Sequence, residues 1–184
     1  DYFVIEPGGS RTLAQIDGAG TIRHIWITAS SQDEFYLRKV VLRMYWDHSD
    51  YPSVEVPLGD FFGIGHASVN SYSSVVLNMS AVEGQDRLAA MNSYFPMPFA
   101  DGACVEVQNE CEVPIDLFYY YIDYDQQDSQ PDDVARFHAQ WRRANPCPPP
   151  ANTEAREVGE EDPYGNLVPN LSDRDNYLIL ETEG

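Results

Sequence analysis

Carboxylates beside aromatic rings are the residues of this chain best suited to chemistry. Asp47 follows Tyr45 and Trp46, and Asp60 precedes Phe61 and Phe62. An aromatic face stacks on the apolar side of a sugar ring, while a carboxylate accepts hydrogen bonds from its hydroxyls. The bland alternative is that these rings belong to the core and the aspartates cap turns. Paired carboxylates also suit glycoside hydrolysis, one as acid and one as base or nucleophile. The run Glu160-Glu161-Asp162 offers three, but adjacent carboxylates in a solvated loop are neither desolvated nor held in place. His24, His48, His66 and His138 are far apart and lack a paired metal-binding spacing. No GxSxG elbow marks a serine nucleophile. GDFFGIG (59–65) lacks the spacing of a dinucleotide-binding turn. Cys104, Cys111 and Cys147 are odd in number and without CxxC spacing, which speaks against zinc; a Cys104–Cys111 bridge is one pairing that would close a hairpin.

These residues need a frame, and the frame reads as β. The segments 3–7, 11–16, 21–30, 71–80, 89–99, 102–110 and 115–124 have the alternation or the β-branched and aromatic content of strands. In TIRHIWITAS (21–30), strict alternation places Ile22, His24, Trp26 and Thr28 on one face and Arg23, Ile25 and Ile27 on the other. YLRKVVLRMYWD (36–47) is of mixed phase, and its composition favours a strand. ARFHAQWRR (135–143) is the best helix. Many short strands, Gly and Pro turns and almost no helix predict an all-β, jelly-roll β-sandwich. The stretch YPSVEVPLGDFFGIGH (51–66) is too rich in Gly and Pro for a strand interior and too apolar for a free loop. It must lie against a core, a partner or a ligand.

The 184 residues amount to one domain, and the 43% apolar content is that of a globular chain. We read 1–144 as the sandwich domain. Residues 145–175, rich in Pro, Asn and acid, read as an excursion or linker, and 176–184 as a returning strand. A net charge of −19 argues against nucleic acid and anionic membrane as partners. No apolar run approaches the ~20 residues of a membrane helix. The opening DYFVIEPGG and the ending NYLILETEG both look like the interior of a longer protein.

GAGTIRHIWIT (18–28), LRKVVLRMYWD (37–47), PSVEVPLGDFFGIGH (52–66), MNSYFPMPF (91–99), FYYYIDY (118–124), FHAQWRR (137–143) and NYLILETEG (176–184) occur in this order. Together these seven segments closely resemble the N-terminal half of glycoside hydrolase family 172. The resemblance implies the first of two tandem jelly rolls and assembly as a homotrimer or a higher homo-oligomer. It implies hydrolysis of α-linked furanosides, either fructofuranosides or D-arabinofuranosides, with retention of configuration and no metal or organic cofactor. A retaining mechanism uses two carboxyl groups about 5–5.5 Å apart. The family's two glutamates are expected downstream of Gly184, so no catalytic residue is assigned and the chain alone is expected to be inactive. On this reading Trp46, Asp47, Asp60, Phe61, Phe62 and His66 form one part of the substrate rim. Asn92 and Tyr94 form a second, and the partner is a furanoside oligosaccharide or polysaccharide. Two other classes remain open: a capsid-like assembly protein, and a non-catalytic carbohydrate-binding jelly roll.

Overall fold

The structure is a computed structural model that describes residues 2–146 and 177–181. It divides into two compact units, Asp1–Trp141 and Arg142–Gly184. In chain order the elements are β1 (Phe3–Ile5), β2 (Ser10–Asp17), β3 (Gly20–Ser31), α1 (Tyr36–Lys39), β4 (Val40–Trp46), β5 (Val54–Pro57), α2 (Leu58–Phe61) and a 3₁₀ turn (Gly65–Ala67). They continue with β6 (Tyr72–Ser73), β7 (Leu77–Val82), β8 (Gln85–Ser93), β9 (Met97–Phe99), β10 (Gly102–Asn109), β11 (Ile115–Gln126) and β12 (Ala139–Gln140).

Two sheets share the strands. One runs β1-β11-β3-β8-β7-β6, with β9 against the start of β3; the other runs β12-β5-β4-β10-β2. The long-range pairs are nested: β1 with β11, β2 with β10, β3 with β8, and β4 with β5, all antiparallel. Successive pairs fall in alternate sheets, so residues 3–126 form a long hairpin wrapped around one core. That is the jelly roll the strand pattern predicts. The core lies between the sheets, with Ile25, Ile27 and Phe118 from one face and Leu42, Met44, Val105 and Val107 from the other, all fully buried.

Asn109, at the end of β10, is also fully buried. Its amide donates to the carbonyls of Ile5 (2.9 Å) and Val113 (3.0 Å), and its Oδ1 accepts from Cys111 N (2.8 Å). One side chain thus ties the first strand to the turn between β10 and β11. Cys104 and Cys111 are free, not bridged. Burial pushes the Cys111 thiol up to about 11 and Cys104 upward too, which leaves both poor nucleophiles.

Strict alternation fails within β3. His24 is paired with Asp123, but the next register pair is Ile22 with Tyr124, so Arg23 has no partner opposite. This β-bulge shifts the phase by one residue. Ile22 is therefore in the core beside Ile25 and Ile27, while His24, Trp26 and Thr28 lie on the outer face. Residues 36–47 are not one strand. Tyr36 and Leu37 bury themselves as a short helix before β4 begins, and the Tyr36 hydroxyl donates to Ala29 O at 2.9 Å.

The helix expected at 135–143 is absent, because its backbone is engaged elsewhere. Trp46 Nε1 donates to Phe137 O (2.7 Å), Ala139 N donates to Ser53 O (3.1 Å), and β12 pairs in parallel with β5. Each of those groups would be needed inside a helix. The stretch 51–66 does lie against a core, as β5, α2 and a turn. Leu58, Phe61, Phe62 and Ile64 are all buried. Of the proposed excursion, only 145–146 fall within the described residues. At the expected returning strand, residues 177–181 have no strand pairing, and Leu178, Ile179 and Leu180 are exposed.

Candidate functional site

The structure scatters the expected rim residues over five places. Trp46, Phe61 and Phe62 are core side chains. Trp46 is 3% exposed and stacked parallel to Phe99 at 6.4 Å, and Phe61 packs edge-on to Phe62 at 5.0 Å. None presents a free ring face. Asp47 is an anchor. Its Oδ1 accepts from Ala100 N (2.7 Å) and Asp101 N (2.8 Å), and its Oδ2 lies 2.6 Å from Arg136 Nε. It sits at φ 56° with His48 at φ 61°, a left-handed pair that Asp tolerates better than most residues.

Burial pushes the Asp47 carboxyl up, but the Arg136 hydrogen bond and the two amides outweigh it and hold the carboxyl below its usual range. A depressed folded pKa gives stability that is full above the unfolded value of about 3.9 and is lost as pH falls through the folded value. Asp47→Asn should therefore be less stable than wild type at pH 7, with the gap closing below about pH 4. Urea unfolding at a series of pH values reads this directly.

Asp60 faces a cation rather than open solvent. Its Oδ2 is 2.6 Å from Arg38 Nε, and the Arg38 guanidinium stands 5.5 Å over the Trp141 ring. The two make a close, partly buried ion pair. Burial raises the Asp60 carboxyl despite Arg38.

Asn92 and Tyr94 come together with His24, Asp123 and Asn78, none of which the sequence reading placed at the rim. His24 Nδ1 donates to Asp123 Oδ2 at 2.9 Å, and its Nε2 lies 2.9 Å from Asn92 Oδ1. Asn92 Nδ2 donates to Asn78 Oδ1 at 2.8 Å. Tyr94 stacks flat on the His24 ring, centroids 4.7 Å apart and 7° between planes. One step along β3, Trp26 stacks on Tyr121 at 5.3 Å, and Tyr121 is 66% exposed. Neighbouring strands lie about 4.8 Å apart. The row Asp123–His24 and the row Tyr121–Trp26–Asn92–Asn78 therefore make a fixed polar and aromatic patch across β11, β3, β8 and β7. It offers ring faces, amide donors and a carboxylate, the set that binds sugar hydroxyls and their apolar faces. Sequence reading missed the His24–Asp123 pair because 99 residues separate them. The available signal was His24 and Trp26 at the i and i+2 positions of one strand face.

His66 lies elsewhere, at a cavity of about 570 Å³ between the 34–35 turn, the 66–70 loop and the β7–β8 hairpin. Its wall includes Glu34, Phe35, His66, Asn70, Gln85 and Arg87. A second cavity, about 430 Å³, opens by Tyr45, His48, Cys104 and Glu106. Among the described residues no three His, Cys, Asp or Glu side chains converge as metal ligands.

The fold is an all-β sandwich whose outer face carries the His24 patch. A family model described as GH172 domain-like matches residues 1–118, which is more than half of the chain. The chain belongs to glycoside hydrolase family 172, whose N-terminal portion it holds. No curated protein matches it.

Proposed function

We propose that this jelly roll is the substrate-holding part of a retaining α-furanosidase acting on D-arabinofuranosides or fructofuranosides. The patch of His24, Asn92, Tyr94, Trp26 and Asp123 contacts the glycan. The observation that carries the reading is this prebuilt patch in a member of a glycoside hydrolase family. Asp123 and Asn92 fix the imidazole in its plane, and the ring in turn holds Tyr94 flat. A sugar meeting them needs little further ordering of side chains, which lowers the cost of binding. The catalytic pair lies outside these residues, so the patch acts by positioning. Assembly as a homotrimer belongs to the same proposal, and the native mass of the protein from its source checks it.

The test is an assay of the protein from its source on arabinofuranosyl and fructofuranosyl substrates, before and after His24→Ala. The expected result is hydrolysis with retention, and kcat/KM reduced about tenfold or more by the substitution. Hydrolysis of neither furanoside would overturn the activity. Hydrolysis with unchanged kcat/KM would overturn the role of the patch. Glycan binding without hydrolysis would favour a non-catalytic binding module.

A further inference from the structure

The cavity beside His66 has a charge pattern unlike the rest of the domain. Arg23, Arg38, Lys39, Arg43 and Arg136 each lie within salt-bridge distance of a carboxylate, and Arg11 stands over the Phe3 ring. Arg87 has no carboxylate partner among the described residues; its guanidinium donates only to the carbonyl of Gln32. Arg11, Arg142 and Arg143 also lack a carboxylate partner among the described residues, but of these cations only Arg87 borders a cavity, the larger of the two. A guanidinium has five N–H donors in a planar fork, so one bond to a carbonyl leaves a face for an oxyanion.

The rest of the wall adds two kinds of contact. Phe35 (52% exposed) and Val82 (39% exposed) give an apolar surface. Glu34, Asn70 and Gln85 give acceptors and donors for hydroxyls. The loop carrying His66 is held in an unusual shape. His66 and Ala67 both have positive φ (62° and 56°), in a turn fixed by Ile64 N to Gly59 O (2.8 Å) and by the Tyr72 hydroxyl on Phe62 O. Left-handed non-glycine pairs persist only where the surroundings impose them, and they concentrate at ligand sites. The volume of about 570 Å³ suits a small molecule.

We propose that this cavity binds an acidic sugar, with the carboxylate on Arg87, the hydroxyls on Glu34, Asn70 and Gln85, and the apolar ring face on Phe35. The sugar component rests on the glycan reading above, whereas the anion component rests on Arg87 alone. Such a site would let the protein dock on a uronate-bearing polysaccharide while a neutral furanoside meets the His24 patch.

The experiment is calorimetric titration of the full chain with D-glucuronate, D-glucose and acetate at matched ionic strength. Saturable glucuronate binding is expected, at least tenfold tighter than either control. Arg87→Gln should remove that preference, and Phe35→Ala should weaken glucuronate several-fold. Both positions are exposed, and a thermal melt checks that each variant remains folded. No saturable glucuronate binding, or binding unchanged by Arg87→Gln, would overturn the proposal. Acetate binding as well as glucuronate would overturn the sugar component. None of these outcomes bears on the His24 patch, which is read with neutral furanosides.

Discussion

Trp46→Ala should cost the domain about 3–5 kcal/mol of stability, the usual range for truncating a buried Trp. Trp46 is 3% exposed, stacks with Phe99 and donates to Phe137 O. Its loss opens a cavity and frees the segment that Phe137 anchors. Trp46→Phe keeps most of the volume and removes the N–H donor, so it should cost nearer 1 kcal/mol. Tyr94→Ala, at an exposed ring, should leave unfolding within about 1 kcal/mol of wild type. Guanidinium unfolding of the three variants separates scaffold rings from surface rings. A Trp46→Ala variant as stable as wild type would return Trp46 to the ligand-binding side.

Asn109→Ala should cost on the order of 3 kcal/mol, although the side chain is small. The substitution removes three hydrogen bonds at once and leaves the carbonyls of Ile5 and Val113 and the N–H of Cys111 without that partner. A buried group left unsatisfied costs about 1–3 kcal/mol, partly recovered where water enters. Asn109→Asp should be at least as damaging, because a carboxylate cannot donate to the two carbonyls and its charge would be buried. The loss should show first as faster hydrogen exchange in β1, which this side chain pins to β10. Uniform protection in both variants would contradict the latch.

Much of the fold was legible because jelly-roll strands carry local signals. Alternation, β-branched residues and turn glycines marked most of the strands, and the ordered motifs gave the family that the 1–118 match establishes. What was not legible is tertiary. Nothing in ARFHAQWRR shows that Trp46 will claim the carbonyl of Phe137, so a helix-like composition became an extended strap. The mixed phase of 36–47 hid a helix of one turn, which survives because Tyr36 and Leu37 bury. The bulge at Arg23 turns Ile22 inward and leaves His24 and Trp26 outward, a change of face that period-two reading cannot see.

The candidate site was legible in part for the same reason. Aromatics next to aspartates drew attention to Trp46, Phe61 and Phe62, yet burial is decided by how the sheets close. Asp47 and Asp60 found Arg136 and Arg38, partners 89 and 22 residues distant. Asn92 and Tyr94 gained their context from β3, where a histidine that looked isolated in sequence connects them to Asp123.

The most direct test of the account is an NMR titration of the chain with an α-D-arabinofuranosyl or fructofuranosyl oligosaccharide. It would follow the amides of β3, β8 and β11 and the Trp26 indole. The account predicts saturable shifts centred on His24, Trp26, Asn92 and Tyr94, abolished by His24→Ala. Shifts centred on another surface, or none with either glycan, would contradict it.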